Sequence, residues 1–155
     1  MTDRYERDES EVQRYDRHWA ELLQELRLAQ SGTQILFAFL LAIAFTTPFR
    51  ESDTFTHGVY AVTLICGALA TCLLIGPVAV HRILYRRRAR ARMLKTANAL
   101  AQSGLALLLA TVCGGLLLAL DVVFSRGWAI AATSVTVVVF VGIWYVLPVV
   151  IRRSD

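Results

Sequence analysis

The sequence predicts an all-α fold: a polytopic membrane protein with four transmembrane helices in two hairpins, preceded by an N-terminal amphipathic cytoplasmic helix. Three observations support this prediction. Of the 155 residues, 56% are apolar and only 18% are charged, a balance that is unusual in a water-soluble domain. Four long stretches contain no Asp, Glu, Lys or Arg. The basic residues are concentrated in the segments that flank those stretches.

The N-terminal segment, residues 1–27, lacks the basic start and apolar run of a cleavable signal peptide, so we expect the first apolar stretch to remain as an anchor. Within it, residues 10–26 predict a helix that begins with a capping box of Ser10 and Gln13. Its apolar side chains share one face: Val12, Tyr15, Trp19, Leu22, Leu23 and Leu26. This stripe fits the membrane surface, the ends of the chain's own spans or a partner helix. Since residues 1–27 carry eight acids and five arginines, docking on protein is favoured over anionic lipid.

The four charge-free stretches are residues 28–49, 54–80, 96–120 and 127–151. At about 1.5 Å per residue, each is long enough to cross about 30 Å of hydrocarbon as a helix, which satisfies its own backbone hydrogen bonds there. We therefore predict a transmembrane domain over residues 28–151 and a cytoplasmic tail at residues 152–155. The predicted spans are at about 30–49, 57–80, 97–120 and 128–150.

The Lys and Arg residues are distributed asymmetrically about these spans. Only Arg50 and Arg126 lie on one side, and the other fourteen lie on the opposite side. Because basic residues are retained in the cytoplasm, we expect a multi-pass membrane protein with both termini and the central loop cytoplasmic.

The central loop contains seven basic residues and no acid: Arg82, Arg86, Arg87, Arg88, Arg90, Arg92 and Lys95. It serves to enforce topology, to bind anionic lipid headgroups or to attract the acidic N-terminal segment. We expect no nucleic-acid partner, because the loop is tied to the membrane at both ends. The candidate contacts for a lipid or protein partner are these seven residues and Trp19, Leu22, Leu23 and Leu26.

Two patterns bear on how the spans pack. The sequence of residues 28–32 is repeated at residues 100–104, and Pro77-Val78 is echoed by Pro148-Val149, which suggests a parallel repeat of two hairpins. Small residues at four-residue spacing form two ridges that we expect to face each other or a second copy of the chain. The ridges are Ala68, Cys72 and Gly76, and Ala106, Ala110 and Gly114.

We find no residue pattern that predicts catalysis, a metal site or a cofactor. His57 and His81 are 24 residues apart, about 36 Å along one helix, and cannot share a ligand. The candidates for ion or proton binding are Glu21 and Glu25, before the first span, and Asp121, at the outer end of the third. Asp121 alternatively pairs with Arg126. The polar residues at the entrance of the first span, Gln30 among them, fit either a vestibule or interhelical hydrogen bonds.

The chain resembles a family of small actinobacterial membrane proteins classed as a domain of unknown function and sometimes labelled sodium:proton antiporter. The resemblance rests on residues 19–27 running into Gln30-Ser31-Gly32, on Gly76-Pro77-Val78 with His81-Arg82-Ile83-Leu84, and on Leu120-Asp121-Val122-Val123. It implies a four-helix inner-membrane protein, and its label suggests ion exchange.

Two functions from different classes follow. The first is a non-enzymatic docking or interaction protein that uses the N-terminal helix and the basic loop to contact a protein partner or anionic lipid. The alternative is a monovalent cation/proton antiporter, acting as an oligomer because four helices enclose little cavity.

Overall fold

The computed structural model describes residues 11–84 and 90–154. Within them the chain forms α1 (Glu11–Ile43), α2 (Thr47–Arg50), α3 (Thr54–Leu84), α4 (Arg90–Val123) and α5 (Arg126–Val141). A π-helix (Gly142–Val146) then joins α5 to α6 (Leu147–Ser154). The long helices run up and down, so that two ends of the bundle can be defined. The turn end holds residues 44–53 and 124–125, and the basic end holds the start of α1, residues 82–84 and 90–95, and α6.

Four helical segments are long and apolar enough to cross a membrane, which confirms the predicted number of spans by length and composition. They are Asp16–Ile43, Thr54–Arg82, Met93–Val123 and Arg126–Arg153. The described residues contain helices and turns but no strand. This agrees with the rule that only helices and closed barrels satisfy their backbone in lipid.

The first span differs from its predicted form at both ends. The N-terminal segment and the span form one continuous helix, α1, since no proline interrupts residues 11–43 and a single Gly32 is tolerated within a helix. The helix also ends at Ile43 rather than near residue 49. Thr46 is extended, and Pro48 lies in the first turn of α2, where its missing N–H costs nothing.

Three helices, α1, α3 and α4, form the core of the bundle, and α3 and α4 make the most extensive contact. Most of the residues buried between them recur at intervals of three, four or seven residues, seven being two helical turns. On α3 they are Tyr60, Thr63, Gly67, Ala70, Leu74 and Pro77, and on α4 they are Met93, Ala97, Ala101, Gly104, Thr111 and Leu118. The fourth span is peripheral, because only Ala129 and Thr133 of α5 are buried.

The predicted ridges of small residues are correct only at their glycines. Ala68, Cys72, Ala106 and Ala110 are exposed. A Cβ at Gly114 would meet Thr63, and one at Gly76 would lie 3.1 Å from Leu100. Gly67 and Gly104, which lie outside the ridges, make the other close approaches between α3 and α4. Lipid and a neighbouring helix are equally apolar, so hydropathy does not distinguish the packed face of such a helix.

Two hydrogen bonds attach α1 to α3 at different depths. Near the turn end, the buried hydroxyl of Tyr60 donates to the carbonyl of Leu40 at 2.9 Å. Near the basic end, Gln30 Nε2 donates to the carbonyl of Leu74 at 2.7 Å. Leu74 lies just before Pro77, which disturbs the backbone hydrogen bonds of α3 because it has no N–H. Gln30 thus makes an interhelical hydrogen bond, one of the two roles that the sequence left open.

Replacing Gln30 by Leu is expected to lower the thermal stability of the protein in detergent by an amount equivalent to about 1 kcal/mol. The substitution leaves the Leu74 carbonyl without its interhelical donor. Gln34→Leu is the matched control, because Gln34 is exposed one turn later on the same helix. Equal melting temperatures for the two variants would contradict this role of Gln30.

Candidate functional sites at the two ends of the bundle

At the basic end, the apolar stripe of α1 packs against the chain's own helices. Trp19 is buried with Met93 and Ala97 of α4, and Leu22, Leu23 and Val80 pack around them. Two turns further along, Leu26 is buried with Leu74 and Ala101. Of the three destinations weighed from the sequence, these four side chains of the stripe lie on the ends of the spans. The side chains of Val12 and Tyr15, and Ser10 of the predicted capping box, lie outside the described part of the structure.

Trp19 also contacts α3 through an aromatic stack. Its ring lies 4.9 Å from that of His81, with 20° between the two planes. The Trp19 indole nitrogen is buried and donates no hydrogen bond within the described residues. Contact of Trp19 and Leu26 with an outside partner stays a prediction, and it would require α1 to separate from α3 and α4.

A groove of about 490 Å³ runs between α1 and α4 beside this packed stripe. Two leucines, Leu22 and Leu94, contribute apolar surface to it. The polar residues that line it are His18, Glu21, Glu25, Lys95 and Asn98. Glu21 accepts an ion pair from Arg17 at 3.5 Å, and both side chains are about half exposed. Two of the three predicted ion-binding acids therefore lie in one groove.

The basic residues of the central loop are only partly described. Arg82 is exposed at the end of α3, and Lys95 is exposed in the groove. Arg90 and Arg92 lie in the first turn of α4, and their side chains are outside the described part of the structure. The three remaining arginines, Arg86, Arg87 and Arg88, lie outside the described residues altogether.

At the turn end, four polar residues from three elements form a network. Arg126 Nη2 lies 2.7 Å from Asp53 Oδ2, and Arg126 Nε lies 3.3 Å from Asp121 Oδ1. Thr56 Oγ1 donates to Asp53 at 2.8 Å and lies 3.3 Å from Asp121 Oδ2. The guanidinium also lies 4.2 Å from the centre of the Phe55 ring. Asp121 is thus paired with Arg126, which the sequence analysis gave as the alternative to ion or proton binding.

Asp53 is the N-cap of α3 and the most strongly perturbed acid outside the spans. Its pKa falls from 3.8 to about 2, first because the backbone N–H of Thr56 donates to its carboxylate, then because of the Thr56 hydroxyl and Arg126. A lowered pKa means that folding favours the ionised carboxylate. Asp53 therefore adds stability above pH 4, and that contribution is lost as the pH falls from about 4 to about 2.

Replacing Asp53 by Asn is expected to reduce the loss of thermal stability between pH 5 and pH 2.5. Asparagine retains the cap on α3, so the two proteins differ chiefly in the titrating charge. Melting curves in one detergent at both pH values measure the effect. An identical fall in melting temperature for the two proteins would show that Asp53 is not a source of the pH dependence.

The three candidate acids for ion binding are not brought together. Glu21 and Glu25 lie near Lys95, and Lys95 is 26 residues before Asp121 on α4, which is about 39 Å along the helix axis. Asp121 thus lies at the opposite end of the bundle. Within the described residues, no three His, Cys, Asp or Glu side chains are close enough to hold a metal ion.

A family model matches residues 8–148, and its description is a family of unknown function, DUF6328. The chain belongs to this family. The match to DUF6328 includes the first three spans and the fourth as far as Pro148. It confirms the resemblance to a domain of unknown function, whereas the actinobacterial source and the antiporter label stay predictions. No curated protein and no solved structure matches the chain.

The sequence interpretation missed several polar residues of this DUF6328 chain. Asp53 and Thr56 stand at N-cap and third-residue spacing before an apolar stretch, and that signal could have been recognised. His81 and Asn98 gave no such signal. They become neighbours of Trp19 and of the groove only through packing of helices that are distant in sequence.

Proposed function

We propose that the protein is a non-enzymatic membrane docking protein, and that its basic end is a binding surface for a protein partner on the cytoplasmic side. The lengths of the helices support this proposal. α1 has 33 residues and α4 has 34, about 50 Å each, so both extend well beyond a hydrocarbon layer of about 30 Å. The extensions support one another through the packing of Trp19 against Met93 and Ala97.

The groove between α1 and α4 is the observation that carries the proposal. It is exposed, its walls belong to two helices that are fixed against each other, and it combines two carboxylates with two leucines. Such a surface fits a helical segment of a partner that places apolar side chains over Leu22 and Leu94 and a Lys or Arg beside Glu21 and Glu25. The basic loop adds attraction for anionic lipid headgroups nearby.

Site-specific photo-crosslinking in cells, followed by reconstitution, tests the docking surface. A photoreactive residue at Asn98, in the groove, is expected to give a discrete adduct, whereas one at Gln24, exposed on α1 outside the groove lining, is expected to give little. Binding of the identified partner, once purified, should weaken several-fold in Glu25→Lys. Equal adducts at both positions, or unchanged binding to Glu25→Lys, would overturn the proposal.

The competing function is monovalent cation/proton antiport by an oligomer through Glu21, Glu25 or Asp121. Two of these acids already have basic partners, since Glu21 pairs with Arg17 and Asp121 with Arg126. Proteoliposomes that contain a pH dye separate the two functions. Sodium-dependent proton movement that disappears in Asp121→Asn or Glu25→Gln would replace docking by transport.

A further inference from the structure

The fourth span leaves the bundle on its way to the basic end. The contact between α5 and α4 has no counterpart of similar extent for the π-helix or α6, which chiefly contact their neighbours along the same span. The buried residues of α5, Ala129 and Thr133, are in its first half, and the π-helix buries none. A groove therefore opens between α4 and the second half of the fourth span.

The local backbone widens where this groove begins. The amide of Leu147 donates to the carbonyl of Gly142, the five-residue step of a π-helix. Pro148 follows directly and has no N–H to continue the α-helical ladder from Trp144. Within a membrane span, such a wide turn is a specific departure from the regular helix, and here it places two aromatic residues, Trp144 and Tyr145, in the groove wall.

The groove has a volume of about 650 Å³ and changes in polarity along its length. Leu105 and Ile143 line its deeper part, and Val149 and Pro148 continue the apolar wall. The polar residues are Gln102 on α4 and Arg152 on α6. No carboxylate lines it within residues 90–154, and Arg152 forms no ion pair with any described residue.

The depth of these residues in a membrane follows from the polar network at the turn end. If that network marks one surface of the hydrocarbon, the other surface lies about 30 Å away, or about 20 residues along each helix. Counting back from Asp121 on α4 reaches Ala101, next to Gln102, and counting forward from Arg126 reaches Val146. Ile143 then lies in the hydrocarbon, Tyr145 at the boundary and Arg152 in the headgroup layer.

We infer that this groove binds one anionic phospholipid. The phosphate lies beside the Arg152 guanidinium, a strong and geometrically matched donor for phosphate oxygens. Gln102 and the Trp144 indole bind the glycerol region, where interfacial aromatic residues are usual. One acyl chain lies along Leu105, Ile143 and Val149. The site is separate from the groove between α1 and α4 and does not depend on the docking proposal.

The full chain in nanodiscs of equal phosphatidylglycerol and phosphatidylcholine provides the test, with native mass spectrometry as the readout. The wild type is expected to retain one phosphatidylglycerol. Arg152→Gln is expected to lower the retained fraction about fivefold, the factor for loss of one basic group at an anionic surface. Arg153→Gln is the matched control: it removes the same charge from the next residue, which does not line the groove, and should change retention less than about twofold.

A second variant fills the groove without altering charge. Ile143 is 56% exposed, so Ile143→Trp is tolerated by the core, and it should displace the lipid from a protein whose melting temperature is unchanged. If Arg152→Gln and Arg153→Gln lost equal fractions of phosphatidylglycerol, the lipid would be held by general attraction to a basic surface, and the proposed site would be wrong. Retention of phosphatidylglycerol by Ile143→Trp, or a lipid-free dimer that covers the groove, would overturn it as well.

Discussion

Replacing Gly104 by Leu is expected to cause one of the largest losses of stability available by a single substitution in this bundle. A Cβ at Gly104 would lie 2.9 Å from Leu74 Cδ2 and 3.2 Å from the Leu74 backbone nitrogen. The side chain of Leu74 is fully buried, so it has no free space to move into, and the backbone of α3 would have to shift. Overpacking of this kind typically costs about 1–3 kcal/mol, and a leucine against backbone lies at the upper end.

Gly58→Leu is the matched control for this prediction. Gly58 is also in a transmembrane helix, but a Cβ added there meets nothing within 4 Å. The two variants gain the same helix propensity and the same apolar side chain, so their difference isolates the contact between α3 and α4. Thermal unfolding in detergent measures it. Gly114→Leu should resemble Gly104→Leu, because its Cβ would meet Thr63. Melting temperatures that are equal for Gly104→Leu and Gly58→Leu would contradict the packing described for this helix pair.

Replacing Leu26 by Ala is expected to release the N-terminal part of α1 from the basic end. Leu26 is 3% exposed between Leu74 and Ala101, and truncation of a buried leucine costs about 2–5 kcal/mol. Limited proteolysis of the purified protein should then cleave within residues 11–26 much faster, whereas cleavage elsewhere stays slow.

The control is two residues away on the same helix. Leu28 is 76% exposed, so Leu28→Ala removes the same atoms without opening a cavity and should leave both the proteolysis rate and the melting temperature nearly unchanged. Trp19→Ala should act like Leu26→Ala, since Trp19 fills the space between Met93 and Ala97. Unchanged protease protection in Leu26→Ala would show that the stripe does not fix α1 in place.

The burial of Trp19 and Leu26 changes which residues of α1 are available to a partner. From the sequence, the apolar stripe of the N-terminal segment was a candidate contact for a partner. In the structure Trp19 and Leu26 are covered by α3 and α4. What α1 offers to a partner is therefore its neighbouring polar face with Glu21 and Glu25, in a groove whose second wall is α4. The proposed recognition of a partner therefore depends on the charge of the segment rather than on its apolar stripe.

Polar contacts between residues close in sequence could be predicted from local patterns, whereas those between distant helices could not. The pairing of Asp121 with Arg126 was accessible, because the two residues are five apart and flank one short turn. The hydrogen bond from Gln30 to Leu74 joins residues 44 apart. No local pattern identifies that partner, although the position of a polar side chain in an apolar helix predicts that it will bond to some neighbour.

The sequence by itself determined the number of spans and the clustering of basic residues outside them. It also predicted that Trp19 and Leu26 share one apolar face, and both are buried. Each of these depends on hydropathy or charge along a short stretch, where water and lipid make different demands. Tertiary structure alone decided that Gly104 packs against Leu74 and Gly114 against Thr63, that α3 and α4 cover Trp19 and Leu26, and that the fourth span diverges to open a groove. Within lipid every face of an apolar helix is equally well solvated, so which faces meet is set by shape and by a few hydrogen bonds between distant residues.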